Sequence, residues 1–233
     1  MREKVIVAWS GGKDSALALY EVLNSGSYDV LELLTTVTKD YERISIHGVR
    51  RVLLEQQPKA LHIPLEEVFI MKGASDAEYE DELLKTLKRH RDNGVFSVVF
   101  GDIFLEDVRK YRERILKKVG MNGIFPLWKK GTKELALKFI NLGFKAIITS
   151  IDSNVLGKHF VGREYNKQFL SDLPADVDPC GENGEFHSFV YDGPIFRESV
   201  SFTKAEKLLR ENRFYYCDLL LARAYTRSHM GEM

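Results

Sequence analysis

The sequence predicts an α/β protein: a doubly wound, mostly parallel, five-stranded sheet followed by a second, smaller α+β domain. Three observations carry that expectation. The apolar run Val5 to Trp9 ends on a glycine-rich loop that opens a helix-forming segment. Apolar runs and helical patterns then alternate through the first half, as β-α-β units require. After Trp128 the alternation continues for one helix and one strand and then loses its period.

Taken in order, the strands are expected at Lys4 to Trp9, Val30 to Val37, Ala60 to Leu65, Ser97 to Ile103 and Gly123 to Trp128. Helices are expected between them at Lys13 to Asn24, His47 to Gln57, Asp76 to Asp92 and Leu105 to Val119. Continuous apolar strands such as Val98-Val99-Phe100 suit a sheet covered on both faces, and right-handed crossovers then give an open, Rossmann-like sheet. Its ligand crevice lies at the carboxyl ends of the strands, where Ser10, Thr36, Gly101-Asp102 and Pro126-Leu127-Trp128 fall. Beyond them a helix from Thr132 to Leu142, a strand from Ala146 to Ile151 and two apolar segments, Phe186 to Tyr191 and Ile195 to Phe202, build the second domain. The boundary is placed after Trp128, giving domains 1–128 and 129–233, with the last residues from Thr226 expected to fray.

Lys+Arg and Asp+Glu are equal at 34 each, so no bulk cationic field favours non-specific nucleic-acid binding. No signal peptide or run of eighteen apolar residues is found, which predicts a cytoplasmic protein with no membrane partner. Cys180 and Cys217 stand far apart with no C-x-x-C pair, so a disulfide scaffold, a structural zinc site and an iron–sulfur cluster lack ligands. A homodimer is left open.

The loop itself reads Ser10-Gly11-Gly12-Lys13-Asp14-Ser15, after Trp9. Its glycines let the backbone approach a phosphate, the helix start adds its dipole, and Lys13 adds a full charge. It is not a Walker A loop: Val7 stands where that motif has its first glycine, and Asp14 where it has Ser or Thr. The segment resembles the PP-loop of the N-type ATP pyrophosphatases. That resemblance implies ATP as substrate, cleavage between the α and β phosphates, and Mg²⁺ as companion.

Other residues join it as candidates. Gly101-Asp102 ends the fourth strand beside the first, so Asp102 is either a Mg²⁺ ligand near the polyphosphate or the N-cap of the next helix. Asp14 is open to the same two readings. Backbone groups around Val37 are placed to read an adenine edge, and His47 either closes over the nucleotide or caps a helix. Arg50-Arg51 reads as a phosphate contact or as a solvated helix face. In the second domain, Glu182, Glu185 and His187 crowd the Asn183-Gly184 turn. The turn alone accounts for a β-ribbon, whereas two acids and a histidine suit a cationic group, ammonia or magnesium. Phe186, Phe189 and Tyr191 add aromatic faces for such a cation. Cys180 has no base beside it in sequence and reads as an unmodified thiol.

SGGKDSALALY at 10–20, GDI at 101–103, PLW at 126–128, LGK at 156–158 and CGENGEFHSFVYDGPIF at 180–196 together resemble the diphthine-ammonia ligase family. The resemblance covers nearly the whole chain and implies a two-step amidation. A diphthine carboxylate on translation elongation factor 2 attacks the α-phosphorus, and ammonia then displaces AMP. It also implies Lys13, Asp102, Glu182 and Glu185 as catalytic groups, with Lys13 stabilising the leaving pyrophosphate and the acids positioning or deprotonating ammonium. No glutaminase segment is evident, so ammonium is the expected nitrogen donor. The rival readings are a tRNA-modifying enzyme, amidation of a small-molecule carboxylate, and a sensor that holds ATP without turnover.

Overall fold

The computed structural model describes residues 2–38 and 49–222. In chain order the elements are β1 (Glu3–Ala8), α1 (Lys13–Asn24), β2 (Tyr28–Thr38), α2 (Arg51–Leu54), α3 (Gln56–Leu61), β3 (Leu65–Ile70), α4 (Asp76–Asp92), β4 (Ser97–Val99), α5 (Glu106–Lys118) and β5 (Asn122–Ile124). They continue with α6 (Thr132–Asn141), β6 (Lys145–Asp152), α7 (Lys167–Asp172), β7 (Phe186–Asp192), β8 (Phe202–Arg210) and β9 (Phe214–Leu221).

The first five strands form one sheet in the order β3-β2-β1-β4-β5, parallel throughout. The order reverses between β2 and β4 around β1, so the loop after β1 opens into the crevice that a doubly wound sheet reserves for ligands. Strand alternation fixes the two faces. Val5 and Val7 join one apolar cluster, and Ile6 between them joins the other, with Leu34, Val98, Leu87 and Ile115. α4 is set by a capping box in which Ser75 Oγ accepts from Glu78 N and Glu78 accepts from Ser75 N at 2.8 Å.

The remaining strands form an antiparallel sheet, β7-β6-β9-β8. Its central strand β6 is buried from Ala146 to Asp152. One apolar cluster runs through both sheets, from Val7 and Leu17 to Phe139, Ile147 and Phe189. Polar bonds join them as well: Val190 N donates to Gly11 O at 2.9 Å, Arg197 N to Ala60 O at 2.7 Å, and Arg50 binds Asp218 at 2.6 and 3.1 Å. Arg50 is thus a tie to β9.

Three expected elements are corrected. The third strand lies at Leu65–Ile70 rather than at Ala60 to Leu65, because Ala60 and Leu61 are the buried end of α3, which His62 stops in a left-handed conformation (φ 56°). The helix expected over His47 to Gln57 is two short ones, α2 and α3, and its start at His47 lies outside the described residues. The segment Ile195 to Phe202 is loop, and the strand begins where it was expected to end, as the first arm of the β8–β9 hairpin. Glu211 and Asn212 turn that hairpin with positive φ and no glycine, so the usual signal is missing. The fraying expected from Thr226 falls outside the described residues.

Candidate functional site

The loop after β1 is held from behind by Gln57 of α3, which is fully buried. Its Oε1 accepts from Trp9 Nε1 at 2.8 Å, and its Nε2 donates to Gly11 O at 2.9 Å and to Val190 O at 2.6 Å. One amide therefore ties the loop to the strand before it and to β7 of the second sheet. Gly11 has φ 77°, and a Cβ there would lie 2.7 Å from Gln57 Oε1, so only glycine fits. Nothing in the local pattern around Gln57 marks it, and sequence reasoning missed it.

α1 starts at Lys13 with Gly12 as its N-cap and no capping side chain of its own. Ser188 of β7 reaches over instead, accepting from Lys13 N at 3.2 Å, while Ser15 Oγ donates to Gly12 O and lies 3.1 Å from Ser10 Oγ. Gly101 is needed at the end of β4, because a Cβ would meet Asp14 C at 2.7 Å and Ser15 N at 2.9 Å. The GDI segment thus lies against the first turn of α1.

Lys13 is buried, with its ammonium 2.7 Å from Asp14 and 5.5 Å from the centre of the Phe186 ring. Burial opposes its charge, but Asp14, Cys180 and Glu182 together hold its pKa above the ordinary value. Asp14 is pushed up by burial, against the pull of Lys13, with Asp178 and Asp102 adding repulsion. Glu182 comes from the second domain: its Oε1 accepts from Ile103 N at 2.7 Å, and Asp178 accepts from its own amide at 2.9 Å. Burial pushes the Glu182 carboxyl up to about 7, against the hydrogen bond from Ile103 N.

These groups surround a cavity of about 430 Å³, within the size range of small-molecule sites. Ser10, Gly12, Lys13, Asp14, Ser15, Gly101, Asp102, Glu182, His187 and Ser188 line its polar part, and Trp9 is at its edge. Leu34, Leu83, Val98, Phe100 and Tyr111 line an apolar part between the sheet and α4 and α5. β2 outruns its last β1 partner, Leu34, and carries Thr35 and Thr36 to the rim.

Several expected site residues are placed differently. Asp102 is not the cap of α5, which is Leu105, and both its oxygens are taken by Arg112 at 2.5 and 3.1 Å. Arg112, stacked 4.6 Å from the Phe100 ring centre, is a cavity residue that the sequence reading did not single out. Glu185 does not line the cavity. It is buried within its own turn, accepting from Asp178 N, Asn183 N and Asn183 Nδ2. Val37 is buried in β2 and paired to Phe69 of β3, so Thr35 and Thr36 reach the cavity in its place. Phe189 and Tyr191 are also absent from the lining, although Phe186 is present. His47 lies outside the described residues. Cys180 is a buried thiol that donates to Thr132 O, and burial pushes it up to about 12, which leaves no thiolate.

A glycine loop at a helix start, a buried lysine and an adjoining apolar compartment offer partners for a triphosphate and a purine. For Mg²⁺, Asp14 and Asp102 have oxygen donors of the right chemistry beside the loop, held in this structure by Lys13 and Arg112.

No described helix is long and apolar enough to cross a membrane. The family model for the diphthamide synthase N-terminal domain matches residues 3–123, and that for the C-terminal domain matches residues 131–222. A diphthine–ammonia ligase of Schizosaccharomyces pombe is 23% identical over 222 residues, covering 87% of this chain but 36% of the relative. One from Mus musculus is 24% identical over 232 residues, 88% of this chain and 85% of the relative. Among solved structures, a predicted subunit of tRNA methyltransferase from Methanocaldococcus jannaschii aligns at a TM-score of 0.43 and 18% identity, over 61% of this chain and 77% of that one. The two domain models matched in succession over residues 3–123 and 131–222, on a chain whose phosphate-type loop and carboxylate turn converge on one cavity, place this chain in the diphthamide synthase family.

Proposed function

We propose that this chain is an AMP-forming ligase that amidates diphthine on translation elongation factor 2 with ammonia, giving diphthamide. The observation that carries the reading is the convergence of Lys13 and the start of α1 with Glu182 of the second domain on one cavity. Membership of the diphthamide synthase family and relatives named diphthine–ammonia ligase support it.

In this reading the purine occupies the apolar compartment, with Thr35 and Thr36 at its rim, and the phosphates lie along Ser10 to Ser15. Asp14 and Asp102 would hold the Mg²⁺ that accompanies ATP, which would screen the phosphate charge, once Asp14 releases Lys13 and Asp102 releases Arg112. A substrate carboxylate oxygen attacks the α-phosphorus and the bond to the bridging oxygen breaks. Pyrophosphate departs toward Lys13 and the amides of the α1 start, which stabilise its developing charge. Ammonia then adds to the acyl carbon and AMP leaves. Glu182, titrating near neutrality, takes the proton that the nitrogen sheds. Glu185 holds the turn that presents Glu182.

The test is incubation with ATP, ammonium and either diphthine-bearing or unmodified elongation factor 2. AMP and pyrophosphate released only with the diphthine form are expected. ADP and phosphate as products, or stimulation by tRNA and not by the diphthine-bearing factor, would overturn the reading.

A further inference from the structure

A second group of ligating side chains lies on β2, β3 and α4, outside the lining of the nucleotide cavity. Glu32 stands in β2, Glu66 at the start of β3, and His90 in the last turn of α4. Their donor atoms all lie within 4.8 Å of one another. His90 Nε2 is 2.6 Å from Glu66 Oε2 and 3.8 Å from Glu32 Oε2. Two ligands bound tetrahedrally to zinc at about 2.1 Å stand roughly 3.4 Å apart, so small side-chain adjustments would bring all three onto one ion.

We propose that Glu32, Glu66 and His90 form a binding site for a divalent transition metal of the zinc type, separate from the nucleotide cavity. Four features of the surroundings carry this beyond a chance meeting of acids. The imidazole is 8% exposed and faces both carboxylates, a mixed nitrogen and oxygen set that suits zinc better than magnesium or calcium. Glu66 is oriented as a ligand is: Arg89 engages its Oε1, which leaves Oε2 toward His90. The neighbouring Glu67 is neutralised by Arg51 at 2.6 Å, whereas among the described residues Glu32 has His90, at 3.8 Å, as its ion partner. Lastly, the group borders a surface cavity of about 530 Å³, which gives water access to the remaining coordination position. A bound ion would fasten the end of α4 to β2 and β3.

The experiment uses the tag-free, metal-stripped full chain, with Zn²⁺ followed by titration calorimetry and thermal unfolding, and Co²⁺ as an absorbing probe. One Zn²⁺ per chain with a Kd below about 10 µM is expected, unaffected by ATP. Ten equivalents beyond saturation should raise Tm by an amount that follows ligand mass action. Glu32→Gln leaves the His90–Glu66 contact in place and should fold normally, yet weaken Zn²⁺ binding at least tenfold and remove the Co²⁺ visible band. His90→Gln should do the same. Equal Zn²⁺ affinity in wild type and both variants, or no binding at 100 µM, would overturn the proposal and leave an ordinary ion pair holding α4. Neither result bears on ligase activity.

Discussion

Gln57 should be the most sensitive single residue for the integrity of the phosphate-type loop, and Gln57→Leu isolates its amide at nearly constant volume. Three hydrogen bonds vanish, to Trp9 Nε1, Gly11 O and Val190 O. Gly11 O keeps its bond from Val190 N, so it is not orphaned. Trp9 Nε1 and Val190 O lose their side-chain partner in an interior where Trp9 is 2% exposed. At about 1–3 kcal/mol for each buried group left unsatisfied, the cost is about 2–6 kcal/mol. For a chain of this length, about 2–4 °C per kcal/mol translates that into a Tm lower by roughly 4–24 °C.

The assay is reversible thermal or denaturant unfolding of wild type and variant, paired with the KM for ATP, which should rise as the loop loosens. Gln57→Glu sharpens the test, because it keeps an acceptor for Trp9 but aims a carboxylate at two carbonyls. Its stability should therefore fall as pH climbs past the ordinary carboxylate range. A Tm within 1 °C of wild type for Gln57→Leu would refute the argument that this amide joins the loop to the second sheet.

Other outcomes follow from the site. Lys13→Ala should lower AMP formation at least about 100-fold, as removal of a charge-stabilising donor does, and near-normal turnover would exclude the loop as phosphate site. Gly101→Ala would drive a Cβ to 2.7 Å from Asp14 C, a backbone atom, so α1 must shift and ATP affinity should drop while the fold survives; unchanged affinity would contradict that contact. Glu182, raised from 4.5 to about 7, keeps a proton when folded that it loses when unfolded, so its contribution to stability declines as pH rises from about 4.5 through 7. Glu182→Gln should flatten that slope and also the rise of amide formation through neutral pH, whereas an unaltered pH profile would remove it as the base. Cys180→Ser should retain turnover, since a thiol near 12 supplies no nucleophile at neutral pH, and loss of an acyl-enzyme signal in that variant would reverse this.

The parts of the fold that were legible in the sequence are those whose local chemistry is self-sufficient. α1 and α4 fall at the expected residues, because the glycine pair before Lys13 and the Ser75–Glu78 capping box mark their starts in the local sequence. β3 was misplaced because an edge strand reads Leu-Glu-Glu-Val-Phe-Ile, more polar than the buried end of the helix before it. The site divides along the same line. Ser10 to Ser15 could be read from a contiguous motif, and Glu182 from the density of acids at a turn. Glu185 looked equivalent to Glu182 in that turn, yet the two point opposite ways: one closes its own loop, the other bonds Ile103 of the first domain. Sequence spacing cannot separate an acid that satisfies its own turn from one that reaches across an interface, since the difference lies in where the partner amides come from. Gln57, Arg112 and Ser188 were missed for that reason. Each acts on a segment ten or more residues away in sequence, and each has an ordinary polar side chain that only the packed arrangement of α3, α5 and β7 around the loop gives a task.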